Sequence, residues 1–171
     1  MDRIASIKLA MKNEGAEMQW YLEQGERSAN PVVKKLFKTL ADDEKEHMTR
    51  IKALHERLLT EQKWPEDLPI EVAGTNVKQA LEGVLGRQGS DADTNENDIA
   101  ALKRAAEFED QGSRFYADLA QSCTNPMERE FFRFLSGIER EHMLSIKDSL
   151  FYLQDPEGWL EQHGRQGLDG A

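Results

Sequence analysis

The sequence predicts an all-α protein, a four-helix bundle made of two repeated helical hairpins with a long crossover between helices two and three. Three observations support this fold class. Four stretches of more than 20 residues carry apolar side chains at helical spacing and have no interior proline. Short connections join the first stretch to the second and the third to the fourth, whereas a long connection separates the two pairs. The two halves of the chain also repeat each other in sequence.

Each of the four helices can be placed from its apolar pattern and its start signals. They are predicted at residues 2–26, 31–59, 98–121 and 126–153. The second and fourth begin at Asn30-Pro31 and Asn125-Pro126, where an asparagine N-cap precedes a proline at the first helical position. Both pairs therefore mark tight turns between antiparallel helices.

The length of 171 residues suits a single domain with its own core. Polar and proline-containing segments interrupt the helical pattern in the middle of the chain and near its end. The predicted organisation is a bundle domain over residues 1–155 with its crossover at 61–97, followed by a C-terminal tail at 156–171.

The chain is acidic, with 32 Asp and Glu against 22 Lys and Arg and a formal net charge of −10. This balance argues against nucleic acid or an anionic membrane as the main partner, because both bind clustered basic residues. No apolar run reaches the roughly 20 residues that span a bilayer, and the first residues lack a signal-peptide pattern, so we expect a cytoplasmic protein. The single cysteine, Cys123, excludes an internal disulfide and a four-cysteine metal site.

The two predicted hairpins align without a gap at an offset of 95 residues. Residues 5–52 and 100–147 share 15 identities in 48 positions. Shared caps and core positions explain the repeated Asn, Pro, Phe, Leu and Ile, but not the repeated Glu and His. Two copies of a hairpin can pack with pseudo-twofold symmetry, so paired positions are expected to meet near the axis.

Each predicted helix carries one glutamate on its apolar stripe. On the second helix Glu44 and His47 interrupt core positions that are spaced alternately three and four residues apart, and the fourth helix repeats the interruption. All these side chains are therefore predicted to lie at one level of the core. The six residues are Glu14, Glu44, His47, Glu109, Glu139 and His142.

Four buried carboxylates need compensation, because burying each charge costs several kcal/mol and like charges repel. Protonation is one solution, and two divalent cations are another, since four positive charges balance four carboxylates. A Glu-x-x-His spacing places two ligands on one helix face, about one turn apart. One Glu from each of two helices and Glu-x-x-His from each of the other two is the pattern of di-iron and di-manganese carboxylate bundles. The sequence therefore predicts a two-metal site.

Three further residues are candidates for the same site. Tyr21 and Tyr116 follow the glutamate of their own helix by two turns, either as core aromatics or as hydrogen-bond partners of ligating carboxylates. Glu17 lies one turn after Glu14, where it is either a seventh ligand or a surface residue. Its repeat partner is Gly112, which has no side chain to offer.

These features resemble the rubrerythrin branch of the ferritin-like superfamily. The resemblance covers about residues 3–153 through the segments LAMKNEGAEMQWY, DDEKEHM, RAAEFEDQGSRFY and GIEREHM. It implies a ferritin-like bundle in which the six core residues bind two iron ions. It also implies that Tyr21 and Tyr116 hydrogen-bond the ligands.

Two features depart from the family pattern. Rubrerythrins carry their additional glutamate in the second hairpin, at the position of Gly112, whereas this chain has Glu17 in the first. The site is therefore expected to be a mirrored version of theirs. A rubredoxin domain is missing, since one cysteine cannot supply its four ligands, so electrons are expected from an external donor such as a rubredoxin.

The resemblance implies a di-iron oxidoreductase that reduces hydrogen peroxide or dioxygen to water, and we expect a homodimer. One alternative is a ferroxidase or iron-handling protein, for which iron is a substrate. Another is a non-catalytic metal-binding protein that holds manganese or zinc in the same ligands.

Overall fold

The computed structural model describes residues 3–61 and 96–166. Its five helices are α1 (Arg3–Arg27), α2 (Pro31–Glu61), α3 (Glu96–Ser122), α4 (Pro126–Gln154) and α5 (Pro156–Gln166). The first four are the predicted bundle helices, and their bounds differ from the prediction by at most two residues. The all-α fold class is confirmed. Nearly all of the predicted crossover at 61–97 lies outside the described residues.

Asparagine caps define both tight turns. Oδ1 of Asn30 accepts hydrogen bonds from the backbone N–H groups of Val32, at 2.9 Å, and Val33, at 3.2 Å. Oδ1 of Asn125 does the same for the second and third residues of α4. These bonds satisfy backbone donors that have no partner inside the helix. The caps therefore close two antiparallel hairpins, α1–α2 and α3–α4.

Two apolar layers fill the bundle, and each layer takes residues from all four bundle helices. The layer that we call the Tyr21 layer includes Tyr21, Phe37, Leu102 and Ile146. The layer that we call the Tyr116 layer includes Ile7, Leu54, Tyr116 and Phe132. Along α1 the buried residues include Ile7, Glu14 and Tyr21, in that order. A polar level that includes Glu14 therefore lies between the two layers.

The described part of the predicted tail forms α5, which packs on the end of α4. Nε1 of Trp159 donates a hydrogen bond to Oδ1 of Asp148 at 2.9 Å. The Trp159 ring also meets Tyr152 edge-on, with ring centroids 5.4 Å apart. Trp159 thus anchors α5, whereas Leu160 is 59% exposed. Among the described residues no helix is both long and apolar enough to cross a membrane.

Candidate metal centre

The polar level between the two apolar layers holds all six predicted ligands, and each of them is at most 2% exposed. They lie there because they occupy core positions of their helices, at the spacing that points successive side chains toward the bundle axis. Helices α1 and α3 contribute one glutamate each, and α2 and α4 contribute a Glu-x-x-His pair each. The structure therefore brings together every residue of the predicted set.

The six residues form two interlocking groups of potential metal ligands. In each group the ligand atoms lie within 4.8 Å of one another. Glu44 and Glu139 belong to both groups and so lie between the two positions. The first group is Glu14, Glu44, His47 and Glu139, and the second is Glu44, Glu109, Glu139 and His142.

Both histidines turn the same ring nitrogen toward the carboxylates. Nδ1 of His47 lies 3.2 Å from Oε2 of Glu14 and 3.1 Å from Oε2 of Glu44. Nδ1 of His142 lies 3.1 Å from Oε1 of Glu44 and 3.4 Å from Oε2 of Glu109. The two rings stack with their centroids 5.6 Å apart. Nδ1 is therefore the atom that each histidine offers to a metal ion.

The two candidate tyrosines reach across the bundle to the glutamates of the opposite hairpin. The hydroxyl of Tyr21 on α1 donates to Oε1 of Glu109 on α3 at 2.5 Å. The hydroxyl of Tyr116 on α3 donates to Oε1 of Glu14 on α1. Burial, followed by the neighbouring carboxylates, raises the pKa of both tyrosines well above its ordinary value. Each phenol therefore stays protonated and holds a carboxylate by one oxygen.

Without metal, the cluster binds protons instead. Burial, followed by the nearby charge of Glu44, raises the pKa of Glu14 to about 8, although contact with His47 acts in the opposite direction. Burial and the charges of Glu44 and Glu109 raise the pKa of Glu139 well above its ordinary value. For His47, burial lowers the pKa, but contacts with Glu14 and Glu44 outweigh burial and raise it to about 10. The concentration of negative charge is thus large enough to hold protons at neutral pH.

Several buried atoms of the cluster make no hydrogen bond of good geometry, although some lie within ion-pair distance of one another. They are Oε1 of Glu44, Oε2 of Glu109, both carboxylate oxygens of Glu139 and both ring nitrogens of His142. A buried polar atom without a partner costs about 1–3 kcal/mol, so such a concentration needs an explanation. Divalent cations bound by carboxylate oxygens and imidazole nitrogens supply one, since iron, manganese and zinc all accept these ligand types. The donor set therefore fits two metal ions.

Glu17 lies beside this cluster but belongs to neither group of four. Its side chain is half-buried. Burial and the charges of Glu44, Glu109 and Glu14 raise its pKa to about 10. At the equivalent place in the second hairpin, a Cβ on Gly112 would lie only 3.0 Å from Oε2 of Glu139. The two sides of the site are therefore not equivalent.

Asp43 is a neighbour of the site that the sequence analysis did not single out. Its Oδ2 lies 3.3 Å from Nε2 of His142, on the side of the ring away from the cluster, and Asp43 is itself buried. Its position directly before Glu44 was the one indication in the sequence. The repeat gave no indication of it, since the residue 95 positions later is Ile138.

Comparison with known proteins agrees with the fold and the cluster. A family model described as rubrerythrin matches residues 6–150, a range that includes all six residues of the cluster. Searches of curated proteins and of solved structures returned no match. Rubrerythrins are ferritin-like di-iron carboxylate proteins and generally oxidoreductases. The match covers well over half of the chain, which therefore belongs to the rubrerythrin family.

Proposed function

We propose that this chain is a non-haem di-iron oxidoreductase that reduces hydrogen peroxide or dioxygen with electrons from an external donor. The observation that carries the proposal is the pair of interlocking four-residue groups, buried between two apolar layers. A single buried ion pair needs no metal to explain it, since its two charges compensate each other. Here four carboxylates and two histidines converge, and several of their oxygens and nitrogens make no hydrogen bond. Such a set of groups is suited to hold two cations close together.

In this proposal every candidate has a defined role. Glu14 and His47 would hold one metal ion, Glu109 and His142 would hold the other, and Glu44 and Glu139 would contribute to both. Two irons held there would supply electrons and Lewis acidity for the reduction of hydrogen peroxide or dioxygen. Manganese or zinc fits the same ligands, so the identity of the metal is part of the proposal.

The protein's own groups orient the site and exclude water from it. Tyr21 and Tyr116 each hold one oxygen of a ligating glutamate, which leaves the other oxygen to face the cluster. The Tyr21 and Tyr116 layers cover the polar level from both ends of the bundle. This environment strengthens electrostatic interactions inside the site. It also keeps bulk water away from the reacting atoms.

Glu17 has two roles in the proposal. It is a seventh ligand, close enough to the cluster to be affected by the charges of Glu44 and Glu109. In the metal-free protein the same carboxyl holds a proton at neutral pH, because its pKa is raised to about 10, and a metal ion bound by Glu17 would displace this proton. The second role is proton relay: the reduction of peroxide to water consumes protons, and the half-buried Glu17 carboxyl could pass them on when it is not bound to metal.

The proposal includes two partners. The first is a separate electron donor such as a rubredoxin. Cys123 is buried and its Sγ donates to the backbone oxygen of Leu119, so it is not presented as a ligand for an iron–sulfur group. We also propose a homodimer, which a native mass measurement tests directly, because a cage of many subunits would point to iron storage instead.

Anaerobic loading with ferrous iron tests the reaction. We expect two irons per chain, followed by oxidation that is much faster with hydrogen peroxide than with dioxygen in stopped-flow absorbance measurements. Repeated oxidation of added iron by dioxygen, with an assembly large enough to store it, would indicate a ferroxidase. Tight binding of zinc or manganese, with no reaction of the iron-loaded protein toward either oxidant, would indicate a non-catalytic protein.

A double variant tests the shared ligands. We expect Glu44→Ala combined with Glu139→Ala to abolish tight binding of both irons, because these residues belong to both groups. The variant Glu46→Ala combined with Glu141→Ala is the matched control, since it removes two repeated glutamates that lie outside the cluster. Retention of two tightly bound irons by the first variant would contradict the site assignment. Glu17→Gln then separates the seventh ligand from the other six, because it should change the reaction with oxidant while both irons still bind.

A further inference from the structure

The 95-residue repeat gives the two metal positions matching sets of ligands. Each set contains a Glu-x-x-His pair from its own hairpin, one further glutamate from that hairpin, and one shared glutamate from the other. If the neighbouring residues repeated as well, both positions would bind metal with the same affinity. The two positions differ, however, in the residues that lie next to the outer ring nitrogens of the two histidines.

His142 has a carboxylate on each side of its ring, whereas His47 has carboxylates on one side only within the part of the chain that the structure describes. Nε2 of His142 lies 3.3 Å from Oδ2 of Asp43, while its Nδ1 faces Glu44 and Glu109. Among the described residues, the carboxylates within ion-pair distance of His47 all approach its Nδ1. The repeat explains the difference, because Ile138 occupies the position equivalent to Asp43 and has no oxygen to offer.

A carboxylate behind a metal-binding histidine has a known physical effect. It accepts the N–H of the outer ring nitrogen, keeps the lone pair of the inner nitrogen directed at the metal, and makes that nitrogen a stronger donor. The distance between His142 and Asp43 suits this role, although the present angle is poor for a hydrogen bond.

We propose that Asp43 positions His142 and thereby makes the two metal positions unequal, so that the position at His142 fills before the position at His47. The inference rests on the proposed two-metal function of the cluster. It assigns Asp43 a positioning role and not a ligand role, because Asp43 belongs to neither group of ligands.

Stepwise titration of the metal-free protein with Co²⁺ tests the proposal. In the wild type we expect two binding steps that differ by about tenfold or more in affinity. Asp43→Ala should weaken the first step by about 10- to 100-fold and bring the two steps together. Asp43→Asn keeps the side-chain shape and an acceptor oxygen, so it should give an intermediate affinity. Asp42→Ala is the matched control. Asp42 is exposed, and its substitution removes the same charge one residue away from Asp43.

Two structural readouts locate the effect. Crystals given one equivalent of Co²⁺ should show anomalous density beside His142 before His47. In the Zn²⁺-loaded protein, the ring N–H proton of His142 should exchange slowly with water and should lose this protection in Asp43→Ala, as seen by NMR.

The possible results separate this inference from the proposed function. A wild type that fails to bind two Co²⁺ ions would reject the two-metal function itself. A wild type that binds two, with Asp43→Ala and Asp43→Asn indistinguishable from Asp42→Ala, would overturn the role of Asp43. First occupancy beside His47 would also overturn it.

Discussion

At the residue scale, two glycines of the second hairpin differ sharply in what surrounds them. A Cβ on Gly112 would lie 3.0 Å from Oε2 of Glu139, whereas a Cβ on Gly137 would have nothing within 4 Å. Both glycines lie inside long helices, where glycine costs about 1 kcal/mol relative to alanine. The pair therefore separates the effect of helix propensity from the effect of contact with a candidate ligand.

We predict that Gly137→Ala raises the free energy of unfolding of the metal-free protein by about 1 kcal/mol and leaves Co²⁺ binding unchanged. Gly112→Ala should gain less stability, because the Glu139 carboxylate has to move. It should also weaken Co²⁺ binding by about tenfold or more, as changes next to ligands typically do. Urea unfolding and Co²⁺ titration measure the two effects. Equal stabilisation with unchanged metal binding in both variants would show that Gly112 does not set the position of Glu139.

At the scale of elements, the two asparagine caps decide where the hairpins turn. Asn30 lies at the Tyr21 end of the bundle and Asn125 at the Tyr116 end, so the two caps are far apart. Each accepts two backbone N–H bonds at the start of a helix of about 30 residues. Losing either cap should therefore destabilise the bundle independently of the other.

We expect Asn30→Ala and Asn125→Ala each to lower the free energy of unfolding by about 1 kcal/mol. The double variant should lose about the sum, since distant sites are usually additive. Asn30→Asp retains an acceptor oxygen and should keep most of the stability. Chemical unfolding of the metal-free proteins measures all four variants, and an Asn30→Asp protein as unstable as Asn30→Ala would argue against the capping bonds.

The bundle helices were predictable because each combines a long apolar stripe with a clear start or stop signal. The helix α5 was not, since its 11 residues include Gly158 and Gly164, which lower helix propensity. A tertiary contact, the hydrogen bond from Trp159 to Asp148, holds it in place. Such a contact between separate segments leaves no periodic pattern in the sequence.

The candidate site was predictable where the two halves of the chain agree and hidden where they differ. The six cluster residues occur in repeated pairs on core stripes, which is why spacing alone brought them to one level. Asp43 has Ile138 as its repeat partner, so symmetry gave no reason to select it. The tyrosines illustrate a further limit, because Tyr21 pairs with Glu109 across the bundle while the sequence places it on the same face as Glu14.

At the scale of the whole molecule, the acidic core predicts that metal and protons compete. Glu14 and His47 hold protons at pH 7 in the metal-free protein, because their pKa values are raised to about 8 and about 10. A metal ion must displace these protons, so binding should release them and strengthen as the pH rises. We predict that the apparent Co²⁺ affinity increases between pH 6 and pH 8 by about tenfold per pH unit for each proton released.

Calorimetric titration in buffers with different ionisation enthalpies counts these protons directly. An ordinary glutamate would be fully ionised by pH 6, so a surface site of carboxylates would show almost no dependence over this range. A constant Co²⁺ affinity from pH 6 to pH 8 would therefore contradict the raised pKa values. Glu23→Gln is a suitable control, since Glu23 is exposed and should leave the pH profile unchanged.

Each group of four ligands takes three residues from one hairpin and one from the other, through the exchange of Glu44 and Glu139. Tyr21 and Tyr116 also connect the two hairpins, because each donates a hydrogen bond to a glutamate of the other hairpin. Neither half of the chain can therefore complete a metal position by itself. Metal binding should therefore strengthen the association of the two halves. Removing the metal should accordingly speed amide hydrogen exchange first where the hairpins meet, before either hairpin comes apart from within.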